Sequence, residues 1–117
     1  MAGEKDRIAE DLRDAILDGC ELIRETERAD LLLVALSFQS KAMPERHVWI
    51  DTDVGDKGES YSIDLEDWTY EGSWDNAVAT VETKSESLAR DIARSWLCGD
   101  PLEVVVERCT EATVTRR

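Results

Sequence analysis

The stretch HVWIDTDVGDKGESYSIDLEDW, residues 47–68, decides the fold. In its second half Tyr61, Ile63 and Leu65 alternate with Ser62, Asp64 and Glu66. Successive side chains of a strand point to opposite faces, so this is a strand with one buried and one wet face. HVWID begins another strand before it. DVGDKG, between the two, is rich in residues that tolerate positive φ and reads as a hairpin loop.

Upstream, residues 4–28 read as a helix. Ile8, Leu12, Ala15, Ile16, Gly19 and Ile23 recur at spacings of three and four, with Leu22 beside them. ADLLLVALSFQ, apolar on both alternating sets, reads as a strand covered on both faces. SKAMPER, with Pro44, is a loop. Downstream, TYEGS turns the chain and WDNAVATVET runs as a strand. Thr83 with Glu86 fits a capping box opening a second helix through Leu97, with Leu88, Ile92 and Trp96 on one face. Glu86 and Arg90 are spaced to pair, and Gly99 with Pro101 stops the helix. LEVVVERCTEATVT reads as a long last strand, bulged near Arg108. The expected order is α-β-β-β-β-α-β: an α+β fold with a mostly antiparallel five-stranded sheet and two helices on one face. At 117 residues, without repeat or linker, it forms one domain, 1–117.

No apolar run approaches the roughly 18 residues a membrane span needs. The polar, acidic start MAGEKDRIAEDLRD is unlike a secretory signal, so the expected compartment is the cytoplasm. Cys20, Cys98 and Cys109 lie far apart in sequence and are odd in number, which argues against a disulfide framework or a zinc site. They read as small buried residues in a reducing compartment.

Charge is the strongest global signal. Twenty-seven acids against fourteen bases leave a net −13, which repels phosphates and argues against binding a nucleic-acid backbone. Ten acids fall between Asp51 and Glu82, opposed by Lys57 alone. An EF-hand fails in both registers: from Asp51 the sixth position is Asp56, and from Asp53 the fifth is Lys57. A different divalent-ion site built from Asp51, Asp53, Asp56 and Glu59 is an open alternative. Asp64 with Glu66 could serve acid–base chemistry, but an alternating strand more often turns such a pair to water. His47 has no nucleophile motif beside it, and no phosphate loop or dinucleotide fingerprint occurs, so neither an enzyme nor a cofactor is expected.

Trp68, Tyr70 and Trp74 interleave with these acids. Carboxylates that steer and rings that anchor are what an interface with a basic partner uses. Plain core packing is the competing reading for every tryptophan, and stronger for Trp49 and Trp96, which sit in regular elements. The expected binding set is Asp51, Asp53, Asp56, Glu59, Asp64, Glu66, Asp67, Trp68, Tyr70, Glu71 and Trp74.

DTDVGDKGESYSIDLEDWTYEGSWDNAVATVET, in a small acidic α+β chain, resembles the immunity proteins of bacterial toxin systems. The resemblance implies a cytoplasmic inhibitor that binds one cognate toxin, often a basic nuclease, and blocks its substrate site, its acids mimicking or displacing phosphates at the toxin's cleft. The expected protein is a non-catalytic inhibitor, monomeric or homodimeric. The alternative is an acidic structural or housekeeping domain of a salt-adapted organism, to which the ten arginines against four lysines also point.

Overall fold

The computed structural model describes residues 4–26, 36–69, 77–109 and 112–116. The elements are α1 (Glu4–Leu17), β1 (Ile23–Glu25), β2 (Leu36–Ser40), β3 (Arg46–Gly55), β4 (Gly58–Asp67), β5 (Ala77–Thr83), α2 (Glu86–Leu97), α3 (Leu102–Glu107) and β6 (Thr113–Arg116). The α+β class holds. Among the described residues the sheet has six strands rather than five, ordered β1-β2-β3-β4-β5-β6 with every neighbour antiparallel.

The hairpin of residues 46–67 forms as its alternation predicts. Arg46 stands opposite Asp67 and the pairing runs unbroken to Gly55 opposite Gly58. Asp56 and Lys57 make the turn without positive φ, and Gly58 takes +99°. That is the arrangement of a type I turn closed by a glycine. Val48, Ile50 and Thr52 of β3 and Tyr61, Ile63 and Leu65 of β4 share the inward face, each at most 1% exposed. Phe38, Ala79 and Val81 extend this layer, and α1 and α2 cover it through Ile8, Leu12, Ile16, Ala89, Ile92 and Trp96.

The first correction is the length of α1, which ends at Leu17 rather than continuing to residue 28. Gly19 fitted the apolar spacing, but it adopts φ +64°, a left-handed conformation that ends a helix. A Cβ there would meet nothing within 4 Å, so backbone conformation, not space, selects glycine. Ile23 therefore belongs to β1, opposite Ser40, and Leu22 is 46% exposed. Of ADLLLVALSFQ, the strand begins at Leu36, and residues 29–35 lie outside the described residues. β5 is described from Ala77, so Trp74 and the TYEGS turn beyond Thr69 also lie outside them.

The second correction is the cap of α2. Ser85, not Thr83, is the N-cap, and its hydroxyl accepts from the Leu88 N–H at 3.2 Å. Thr83 ends β5 and accepts from the Ser85 N–H instead. Arg90 pairs with Asp91 at 3.0 Å rather than with Glu86. The helix stops where expected, with Gly99 at φ +99°.

The third correction concerns LEVVVERCTEATVT, whose first half is a helix. The Pro101 carbonyl accepts from Val104 and Val105, and Val105 is buried while Leu102 and Cys109 pack on the core. Spacings of three and four place these residues on one side, and packing against α2 overrides the strand preference of three consecutive valines.

Arg46 joins the layers. Its Nη1 donates to the carbonyls of Trp96, at 3.0 Å, and Asp100, at 2.5 Å, and its guanidinium lies 3.8 Å from the centroid of a Trp96 ring. A cation is thereby held at the C-terminal end of α2, where helix carbonyls lack partners. The Trp96 indole donates to the Glu66 carbonyl at 3.2 Å, where the register between β4 and β5 shifts.

Two substitutions separate cap from core. Ser85→Ala lowers stability by about 1 kcal/mol in urea unfolding, whereas Thr52→Val is neutral or stabilising by up to about 1 kcal/mol. Thr52 Oγ1 is the buried side-chain oxygen without a partner among the described residues, so its removal leaves nothing unsatisfied.

Candidate functional site

Alternation that sends one set of residues into the core sends the other set to the opposite face of the sheet. Along β3 this set is His47, Trp49, Asp51 and Asp53, and along β4 it is Ser60, Ser62, Asp64 and Glu66. The register places Asp51 across from Ser62, Asp53 across from Ser60 and Trp49 across from Asp64. β5 adds Thr80 beside Asp64 and Glu82 beside Ser62, and β6 adds Thr113 beside Glu82.

At the hairpin end of this face the carboxylates are open to solvent. Asp51, Asp53 and Glu82 are all exposed. Together with Ser60, Ser62, Lys84 and Thr113 they line a shallow cleft of about 860 Å³. Three carboxylates against one ammonium give it a negative field, and hydroxyls supply neutral hydrogen-bonding groups. Glu82 closes the run of ten acids in the sequence but is not in the expected binding set. Its strand alternation was the available signal.

The other end is built differently. The Trp68 ring lies 4.8 Å from that of His47 and 6.4 Å from that of Trp49, centroid to centroid. Trp68 is 44% exposed and Trp49 half-buried, so neither is a core residue under the helices, whereas Trp96 is. The Trp68 indole donates to Glu66 Oε1 at 3.0 Å. Glu66 is only 3% exposed, contrary to its expected place on a wet face. Asp64 is half-buried and accepts from the Thr80 hydroxyl at 2.7 Å. These two carboxylates are engaged within the fold, because a buried carboxylate must have its hydrogen bonds satisfied.

The remaining expected residues divide. Asp56 is exposed at the hairpin tip. Glu59 lies on the helix side, accepting from the Tyr61 hydroxyl at 2.9 Å with Arg7 at 3.8 Å. Burial, reinforced by Glu59, holds the Tyr61 hydroxyl well above its ordinary pKa. Asp67, opposite Arg46, also belongs to the helix side and accepts from the Thr69 N–H at 2.9 Å. Tyr70, Glu71 and Trp74 lie outside the described residues. The strand alternation thus sets Asp51 and Asp53 on one face and Glu59 on the other, which breaks up the divalent-ion set. Among the described residues no group of three or more His, Cys, Asp or Glu side chains is placed to hold a metal ion, and no helix is long and apolar enough to cross a membrane.

No protein-family profile, curated protein or solved structure matches this chain.

His47 offers a direct test of the aromatic end. Burial lowers its pKa, a backbone hydrogen bond at Pro44 opposes this, and the Arg24 charge adds to the lowering. The unfolded chain takes up the proton first, near pH of about 6.5, so stability declines as pH falls from there toward the folded-state value. The chain has one histidine, and its NMR titration midpoint is expected below that reference. His47→Gln flattens the stability profile across the same window. A midpoint at or above the reference would refute the buried setting.

Proposed function

We propose that the protein is a non-catalytic binding protein that captures a basic protein partner on the outward face of its sheet, in the manner of a toxin-neutralising immunity protein. The observation that carries this reading is the exposed trio Asp51 and Asp53 on β3 and Glu82 on β5, the two strands that flank β4, with Asp56 at the hairpin tip. Rigid strands fix the spacing of the trio, so little ordering cost attaches to binding. The charge steers an arginine- or lysine-rich surface toward the face and rejects acidic ones. Inhibition of a nuclease would follow from occupying the surface that otherwise holds phosphates.

A second reading has its own support. Glu10, Asp11, Asp14, Asp18, Glu21, Glu103 and Glu107 are exposed on or beside the helices, away from this face. Acids spread in this way serve solubility in a salt-adapted organism without any partner.

Two experiments decide between these readings. Tagged protein is incubated with lysate of the source organism at low and moderate salt. The expected result is one stoichiometric basic protein, released as salt rises. Against that protein, joint Asp51→Lys, Asp53→Lys and Glu82→Lys slows association at least about tenfold and flattens its salt dependence. Unchanged kinetics would remove the face from the account. Glu66 is excluded from the reversal because at 3% exposure a lysine there would disturb the fold.

The second experiment is unfolding across a potassium chloride series. Cooperative folding at about 0.1 M, where surface charges are already screened beyond roughly 10 Å, is expected of the binding protein. Folding only at molar salt would favour the salt-adapted domain.

A further inference from the structure

Cys20 and Cys98 are remote in sequence, yet the fold brings their side chains together at the ends of two packed helices. Cys20 follows α1, its N–H donating to the Leu17 carbonyl at 3.1 Å after Gly19 has turned the chain. Cys98 is the C-cap of α2, its N–H donating to the Arg94 carbonyl at 2.8 Å. The two helices pack on each other. Contacts beside them fix the same neighbourhood. The Leu22 carbonyl accepts from the Lys41 N–H at 2.8 Å, the Ser40 hydroxyl accepts from the Met43 N–H at 3.0 Å, and Met43 Sδ lies 3.2 Å from where a Cβ on Gly99 would stand. Across this junction the Cys20 side chain is close enough to the Cys98 thiol to raise its pKa electrostatically.

The pair is also reachable. Cys98 is exposed and Cys20 half-buried, contrary to the expectation that the cysteines are buried. A cleft of about 320 Å³ lined by Arg90, Arg94, Ser95, Asp100 and Arg108 opens at Cys98. Cys109 is placed differently, its thiol donating to the Val105 carbonyl at 3.4 Å.

We propose that Cys20 and Cys98 are a redox-modification site, forming a reversible intramolecular disulfide that ties the end of α1 to the end of α2. With a peroxide as oxidant, the exposed Cys98 thiolate attacks one peroxide oxygen. The O–O bond breaks, Cys98 becomes a sulfenic acid, and the departing hydroxide takes up the proton lost by the thiol to leave as water. The Cys20 sulfur then attacks the sulfenic sulfur, the S–S bond forms, and hydroxide leaves with the Cys20 proton as a second water. The two sulfurs together give up two electrons to one peroxide, and a dithiol restores both thiols by exchange. Burial, together with the neighbouring Cys20, raises the Cys98 pKa. Thiolate is therefore scarce at neutral pH, and the reaction accelerates as pH rises. The bond closes a loop containing β1 to β5, so it constrains the unfolded chain across nearly the whole sheet.

The test uses the full chain treated with hydrogen peroxide and digested without reductant. Peptide mass mapping is expected to find Cys20 joined to Cys98 with a loss of two hydrogen atoms, and Cys109 free for alkylation. The melting temperature rises on the order of ten degrees and returns on adding dithiothreitol. Cys20→Ser and Cys98→Ser each abolish the shift, and Cys109→Ser retains it. A cross-link involving Cys109, covalent dimers as the sole product, or oxidation of Cys98 without a cross-link in protein still folded by circular dichroism would each overturn the proposal. Mapping of the unsubstituted chain decides the matter even if a serine variant fails to fold.

Discussion

Ten residue pairs, from Arg46 opposite Asp67 to Gly55 opposite Gly58, hold β3 against β4, and this register assigns every neighbouring side chain to a face. A slip of β4 by one residue against β3 would turn Tyr61, Ile63 and Leu65 to solvent and force Ser62, Asp64 and Glu66 under the helices. Neither outcome is tolerable, since each buried apolar side chain contributes roughly 1.5–3 kcal/mol and each buried unpaired carboxylate costs several. The short turn at Asp56 and Lys57, closed by Gly58 at positive φ, fixes the same register from the hairpin's end. The other strands are added outward from this pair, and α1 and α2 lie across its apolar face.

The outward face inherits its character from that assignment. Residues excluded from the core by alternation are the carboxylates, hydroxyls and aromatics of β3, β4 and β5. The fold treats the two ends of this face unequally. Near the hairpin turn Asp51, Asp53 and Glu82 are left to solvent, free to act at a distance. Near the other end Glu66 is enclosed and bonded to the Trp68 indole, and Asp64 is bonded to Thr80, so both contribute to structure. A carboxylate in water steers partners, while one taken out of water is held by the groups that compensate its desolvation.

Arg46 illustrates how a single side chain ties helix to sheet. It reaches from the first position of β3 to the carbonyls of Trp96 and Asp100 at the C-terminal end of α2, while stacking on Trp96. Burial lowers its pKa despite the nearby charges of Asp67, Glu45 and Asp100, yet a guanidinium remains charged throughout the physiological range. The C-terminal end of α2 is thus anchored at the edge where α3 begins and where Cys98 meets Cys20.

The local pattern of the chain by itself determined the central hairpin, the inward set Tyr61, Ile63 and Leu65, the body of α2 with its stop at Gly99, and the concentration of acid between Asp51 and Glu82. Each rests on a period or a turn chemistry confined to a short segment. Tertiary structure alone decided where α1 ends, because Gly19 satisfies the apolar spacing of a helix as well as the left-handed turn that terminates one. It also decided that the Leu102–Glu107 segment is helical, since only packing against α2 overrides the strand preference of its valines. The sorting of carboxylates into exposed and enclosed, and the meeting of Cys20 with Cys98, depend on residues far apart in the chain. Their distance is set by the packing of whole elements, which no local period encodes.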